Sequence, residues 1–197
     1  MSHVQRKALI PAETFRELAL VELREVRSEI VALATDRDIY WKVQHEVIHR
    51  NRRLLTVHSP YFDMLNDAYA HATAARVRRL VDKDKRTISL LRLLRQLVRY
   101  PDLFNETMST EEVVQDADDL ERATSKITDY VDQFVAHHDR TPVADAPIYR
   151  ELDAVIDLLI AVFRKYYGVL AGADIDVVVS YLEEPLAIFR FAWIEAK

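Results

Sequence analysis

Three groups of residues have the types and the spacing that chemistry needs. The first is His45-Glu46-Val47-Ile48-His49, an H-E-x-x-H run. On a helix it sets two imidazoles one turn apart, able to hold Zn²⁺ with the glutamate as general base. The second is the run His137-His138-Asp139-Arg140. Imidazole moves protons near neutral pH, a carboxylate can orient it, and a guanidinium can hold developing negative charge. At a helix end the same run also reads as cations complementing the macrodipole, with Asp139 capping the loop. The third is Arg92, Arg95 and Arg99, which fall on one helical stripe suited to phosphate contacts, with Arg76 and Arg79 as a second pair. No aromatic residue interleaves with that stripe before Tyr100, so base stacking is not supported there, and a salt-bridged face is the competing reading.

The zinc reading is the weakest of the three. His49 is followed by Arg50-Asn51-Arg52-Arg53, a cationic stretch hostile to Zn²⁺. A third ligand would have to come from a downstream carboxylate such as Asp63 or Asp67. A zinc hydrolase therefore stands only as an alternative, and the expectation is no metal and no cofactor.

Composition removes other classes. Of 197 residues only 2 are glycine, Gly168 and Gly172, so no Gly-rich phosphate loop can form and a fold of many short strands is disfavoured. There are 0 cysteines, which excludes disulfides, thiolate zinc sites and thiol catalysis. The first residues lack a signal-type apolar core, and no apolar run of about 18 residues occurs. A soluble cytoplasmic protein without membrane contact is the expectation. The formal charge of −5 is unevenly spread. Arg76–Arg99 holds nine basic against two acidic residues, a local +7, and Asp102–Asp157 holds fifteen acidic against four basic, a local −11. Either the two segments neutralise each other, or the basic one meets an anionic partner.

The elements that must position these groups read as helices throughout. Phe15, Ala19, Leu23, Val26, Ile30 and Leu33 recur at helical spacing over Pro11–Thr35. A second helix is expected over Asp38–Val57, and a third over Pro60–Val81 with Tyr61, Met64, Leu65, Ala68, Ala72 and Ala75 on one side. Asp82–Lys85 reads as a charged connector and Ile88–Tyr100 as a short helix ended by Pro101. Met108–His138 reads as a long helix with Ser109 as its cap and Glu112 placed as in a capping box. Ile148–Ala171 is expected to close near Gly168 or Gly172, and Asp174–Ala196 to form a last helix, separable as an appendage, with a kink at Pro185. The expected fold is all-α: one domain over residues 1–197, an irregular antiparallel bundle of six to seven helices.

Two passages carry a family likeness. One is DIYWKVQHEVIHRNRRLL (Asp38–Leu55), continued from Ser59 to Leu97 through Leu80-Val81-Asp82 and Ile88-Ser89-Leu90-Leu91. The other is YVDQFVAHHDR (Tyr130–Arg140), with Ala136-His137-x-Asp139 at its heart. Together they resemble the HEPN superfamily, in its AbiU-type branch linked to phage abortive infection and toxin–antitoxin systems, over most of residues 10–170. The resemblance implies an all-α homodimer, RNA as the ligand, and metal-independent ribonuclease activity in many members. It also implies a cognate antitoxin or nucleotidyltransferase as a partner. The family motif is an Arg, four to six intervening residues and a His, so His137 takes the histidine position. The chain departs from the motif at the arginine. Tyr130, Val131 and Asp132 occupy the three permitted slots, and Asp132 repels phosphate. Arg52 and Arg53 precede His58 at the motif spacing, a match expected by accident in so arginine-rich a chain. His137, Asp139 and Arg140 are the candidate catalytic residues, Arg92, Arg95 and Arg99 the candidate RNA contacts. A non-catalytic helical interaction module is the alternative.

Overall fold

The structure is a computed structural model. It describes residues 10–51, 54, 59–104, 108–135, 146–179, 181 and 183–190. Five α-helices account for most of them: α1 (Ala12–Lys42), α2 (Pro60–Leu80), α3 (Leu90–Leu97), α4 (Thr110–Tyr130) and α5 (Tyr149–Ala171). Two helices run on as wider π-helical stretches, α1 through Val43–Ile48 and α4 through Val131–Val135. No strand occurs among the described residues, so the all-α expectation stands.

The count differs from the expected six or seven for two reasons. The helices expected before and after Thr35 are one element. Asp36-Arg37-Asp38 contains no glycine or proline, and its side chains find partners: Asp36 with Arg76, Arg37 with Asp157, Asp38 with Lys42. A last helix over Asp174–Ala196 is also absent from the described part. Gly172 takes a left-handed conformation at φ 66°, a geometry that only glycine adopts freely, and it ends α5 by donating to the Gly168 carbonyl at 2.9 Å. Residues 174–179 then run irregularly, and one short 3₁₀ turn forms at Ala187–Arg190. Three successive β-branched valines, Val177–Val179, and Pro185 both oppose a helix there.

Ion pairs and hydrogen bonds fix the helix directions. Tyr40 meets Asn66 while Glu29 meets Arg76 and Arg79, so α2 runs antiparallel to α1. Trp41 meets Asp153 while Arg16 meets the Leu170 carbonyl, so α5 also runs antiparallel to α1. Lys126 meets Glu151 while Glu112 and Asp116 meet Lys165, which sets α4 antiparallel to α5.

The core lies between these helices. All six expected α1 positions, Phe15 to Leu33, are buried, and they pack with Val77, Leu80, Leu120, Leu152, Phe163 and Tyr166. The short α3 buries Leu90, Leu91, Leu93, Leu94 and Leu97 almost completely. Only α2 turns a face other than the expected one. Met64, Ala68 and Ala72 are exposed, and the buried side is Tyr69, Thr73, Ala74, Val77 and Leu80. Tyr69 turns inward because its ring stacks on Tyr40 at 4.0 Å and its hydroxyl reaches Asp153.

Candidate functional site

His137, Asp139 and Arg140, with His138 beside them, lie outside the described residues. The chain that leads to them is described. α4 widens at Val131–Val135, and π-helical turns of this kind are frequent at functional positions. The three slots that a motif arginine can take are therefore visible. Tyr130 is buried, and its hydroxyl is pushed up from its ordinary pKa by that burial and by nearby Asp67 and Tyr149. Its ring lies 5.9 Å from that of His71. Val131 is buried. Asp132 is exposed and accepts from Arg78 Nε at 3.0 Å, with Asp82 on the other side of the same guanidinium at 3.6 Å.

Around this approach lies a polar and aromatic cluster that the sequence did not reveal. Tyr40 and Tyr69 stack in parallel, and Tyr149 lies 5.4 Å from Tyr40 and 6.2 Å from Tyr69. Asp153 accepts from Trp41 Nε1 at 2.9 Å and from the Tyr69 hydroxyl at 3.4 Å. Burial raises its pKa above the usual aspartate value, against the pull of Trp41 and Arg37. Tyr40 and Gln44 both donate to Asn66 Oδ1, at 3.0 and 2.8 Å. Tyr40 and Tyr69 are held firmly neutral, first by burial. One signal was present in the sequence: Asp153 is the single acid between Leu152 and Ile156 on the apolar start of α5.

The H-E-x-x-H residues sit on the π-helical continuation of α1. His49 N–H reaches back five residues to the Gln44 carbonyl at 2.9 Å. The His45 ring lies 5.3 Å from Trp41 and 5.8 Å from His49. Among the described residues no three His, Asp or Glu side chains converge on a point where a metal ion could sit.

The candidate phosphate stripe lies elsewhere. Arg92 is largely buried and paired with Glu22 of α1, and its Nε has no hydrogen-bond partner among the described residues. Arg95 is paired with Glu121 and with Asp118 of α4. Lys83 shares the same Glu121 and helps hold its carboxyl below the ordinary glutamate range. The basic and acidic segments thus neutralise each other along the α3–α4 contact. Arg99 is exposed and beside a cavity of 380 Å³ lined also by Phe15, Leu18 and Tyr100. The stripe and the cluster beside Tyr130 meet α1 at different places. Arg92 meets α1 at Glu22, and the cluster beside Tyr130 meets it at Tyr40, about 27 Å further along at ~1.5 Å per residue.

No helix among the described residues is long and apolar enough to cross a membrane. No curated protein and no solved structure matches the chain. The family model described as AbiU2, a HEPN branch, matches residues 20–185, which spans every helix after the first turns of α1 as well as the Tyr130–Arg140 passage. On that match the chain belongs to the AbiU2 family of HEPN-like abortive-infection proteins.

Proposed function

We propose that this protein is a phage-defence component, of abortive-infection or toxin–antitoxin type, that engages RNA and cleaves it weakly or not at all. The observation that carries this reading is the Asp132–Arg78 pair. Where the motif needs a free cation, the chain has an aspartate whose charge is cancelled by an arginine from α2. A guanidinium held between two carboxylates has little left to offer a phosphate.

In this reading His137 handles the proton of the attacking 2′-hydroxyl, Asp139 orients its ring, and Arg140 supplies the fixed positive charge. Losing a positioned charge-stabilising donor typically lowers a rate by about 10²–10³, so activity below that of motif-complete relatives is expected. The test compares wild type with His137→Ala on structured and unstructured RNA without divalent metal. Feeble or absent cleavage with retained RNA binding supports the reading. Vigorous wild-type cleavage that vanishes in His137→Ala shows that the missing arginine has been replaced.

The non-catalytic interaction module is favoured by the same neutral pair, and RNA binding without any cleavage is its signature. A homodimer belongs to the proposal, supported by the exposed apolar Leu18 and Val21 on α1, and light scattering tests it. A cognate antitoxin or nucleotidyltransferase partner belongs to it as well.

A further inference from the structure

The end of α1 carries a ladder of rings. Trp41, His45 and His49 follow one another along one side of the helix and its π-helical continuation, and the Trp41 and His45 rings lie within 27° of parallel. The His45 and His49 rings are 5.8 Å apart and tilted by 43°. Trp41 is half-buried, while His45 and His49 are exposed. Tyr149 packs edge-on against Trp41 at 6.5 Å and joins the ladder to the cluster beside Tyr130.

Two exposed cations, Arg50 and Arg150, and one exposed acid, Glu46, lie beside the ladder. Arg76, Arg78, Arg79, Arg92, Arg95 and Lys165 are all drawn into ion pairs. Arg50 follows His49, and Arg150 follows Tyr149. Both are exposed, and neither has an acidic partner among the described residues. Rings in series, two of them exposed and flanked by guanidinium groups without an acidic partner among the described residues, are what unpaired bases need: π faces to stack on and cations for the backbone between them. A duplex stacks its bases on one another everywhere but at its two ends and gains little from such a ladder.

We propose that Trp41, His45 and His49 form a stacking platform for the unpaired bases of single-stranded RNA, with Arg50 and Arg150 contacting the adjoining phosphates. The inference rests on the RNA reading above and adds to it the strandedness of the ligand and the surface that reads it. It also gives the H-E-x-x-H run a role that needs no metal.

The experiment uses the full chain in a Trp193→Phe background, so that Trp41 is the one indole. Six-nucleotide oligoadenylate RNA and a blunt duplex RNA are titrated separately, following indole fluorescence and anisotropy. The single strand should quench Trp41, and the duplex should not. His45→Ala/His49→Ala, both at exposed positions, should keep the helical circular dichroism and lower single-strand affinity about tenfold or more. Single-strand binding that survives the double substitution, or quenching as strong by the duplex, overturns the platform and leaves the RNA reading standing. Binding of neither RNA removes both readings.

Discussion

The guanidinium of Arg78 reaches across from α2 to within 3.0 Å of the Asp132 carboxylate. A second carboxylate, Asp82, lies four residues beyond Arg78, just past the end of α2, 3.6 Å away. The stretch that leads into His137 is thereby tied to α2 by one guanidinium shared between two carboxylates, a group of net charge −1. If the proposed RNA role holds, this arrangement makes the segment a weak attractor of phosphate.

Replacing Asp132 with asparagine removes one of the two carboxylates, so the local charge rises from −1 to zero and Arg78 is left with Asp82 alone. Asp132→Asn should raise RNA affinity several-fold at low salt and steepen the slope of log affinity against log salt by about one unit. Stability should change by no more than about 0.5 kcal/mol, because the pair is exposed. Anisotropy at two salt concentrations checks the first expectation. Unchanged affinity places the RNA away from Asp132.

Ser89 does more for the fold than its size suggests. It is fully buried, accepts from the Arg92 N–H at 3.2 Å as the cap of α3, and donates to the Asp82 carbonyl. Ser89→Ala removes the cap and strands a carbonyl at once. Loss of a cap typically costs about 1 kcal/mol and an unsatisfied buried acceptor about 1–3 more. Urea unfolding should show a loss in that combined range, and a loss below about 0.5 kcal/mol would mean that water replaces both contacts.

The helices were legible because their signals are local. Phe15 to Leu33 repeat at helical spacing, and Ser109 does accept from the Glu112 N–H as the expected cap. What was not legible depends on partners distant in the chain. The buried face of α2 is not legible because alanines at helical spacing look like a packing seam, while the true seam is set by Tyr69 meeting Tyr40 and Asp153. Arg92, Arg95 and Arg99 look identical in sequence, yet Glu22 and Glu121 engage two of them from other helices. Asp153 draws its partners from α1 and α2, over a hundred and over eighty positions away.

Asp153 gives the fold a pH dependence of definite sign. Burial raises its folded pKa above the ordinary value of 3.8, so its contribution to stability is fully present below 3.8 and is lost as pH rises through the raised value. At neutral pH the ionised carboxylate is a liability that its hydrogen bonds only partly offset. Asp153→Asn keeps an acceptor for Trp41 and removes the charge, so it should be neutral or stabilising at pH 7, with its advantage shrinking as the pH approaches 4. Asp153→Ala leaves Trp41 Nε1 and the Tyr69 hydroxyl without their acceptor and should lose about 1–3 kcal/mol. Denaturation of the three proteins at pH 4 and pH 7 checks both signs, and an Asn variant less stable than wild type at pH 7 would reverse the assignment.

The arginine stripe of α3 should divide under mutation as it divides in the structure. Arg95→Gln breaks the pairs with Glu121 and Asp118 and leaves Lys83 as the cation on Glu121. Because these groups are partly exposed, the loss should be small, below about 1 kcal/mol. Arg92→Gln should cost more, since Arg92 is largely buried and its removal leaves Glu22 without a cation. Arg99 has no acidic partner among the described residues and stands at the rim of the cavity lined by Phe15 and Tyr100. Arg99→Glu should therefore leave the unfolding midpoint where it is. If a long RNA reaches this end of α1, the same substitution should weaken its binding and flatten the salt slope by about one unit. Thermal melts and anisotropy on the three single variants separate the two effects. A stability loss in Arg99→Glu as large as in Arg92→Gln would show that Arg99 also serves the fold. An unchanged slope would confine RNA contact to the opposite end of α1.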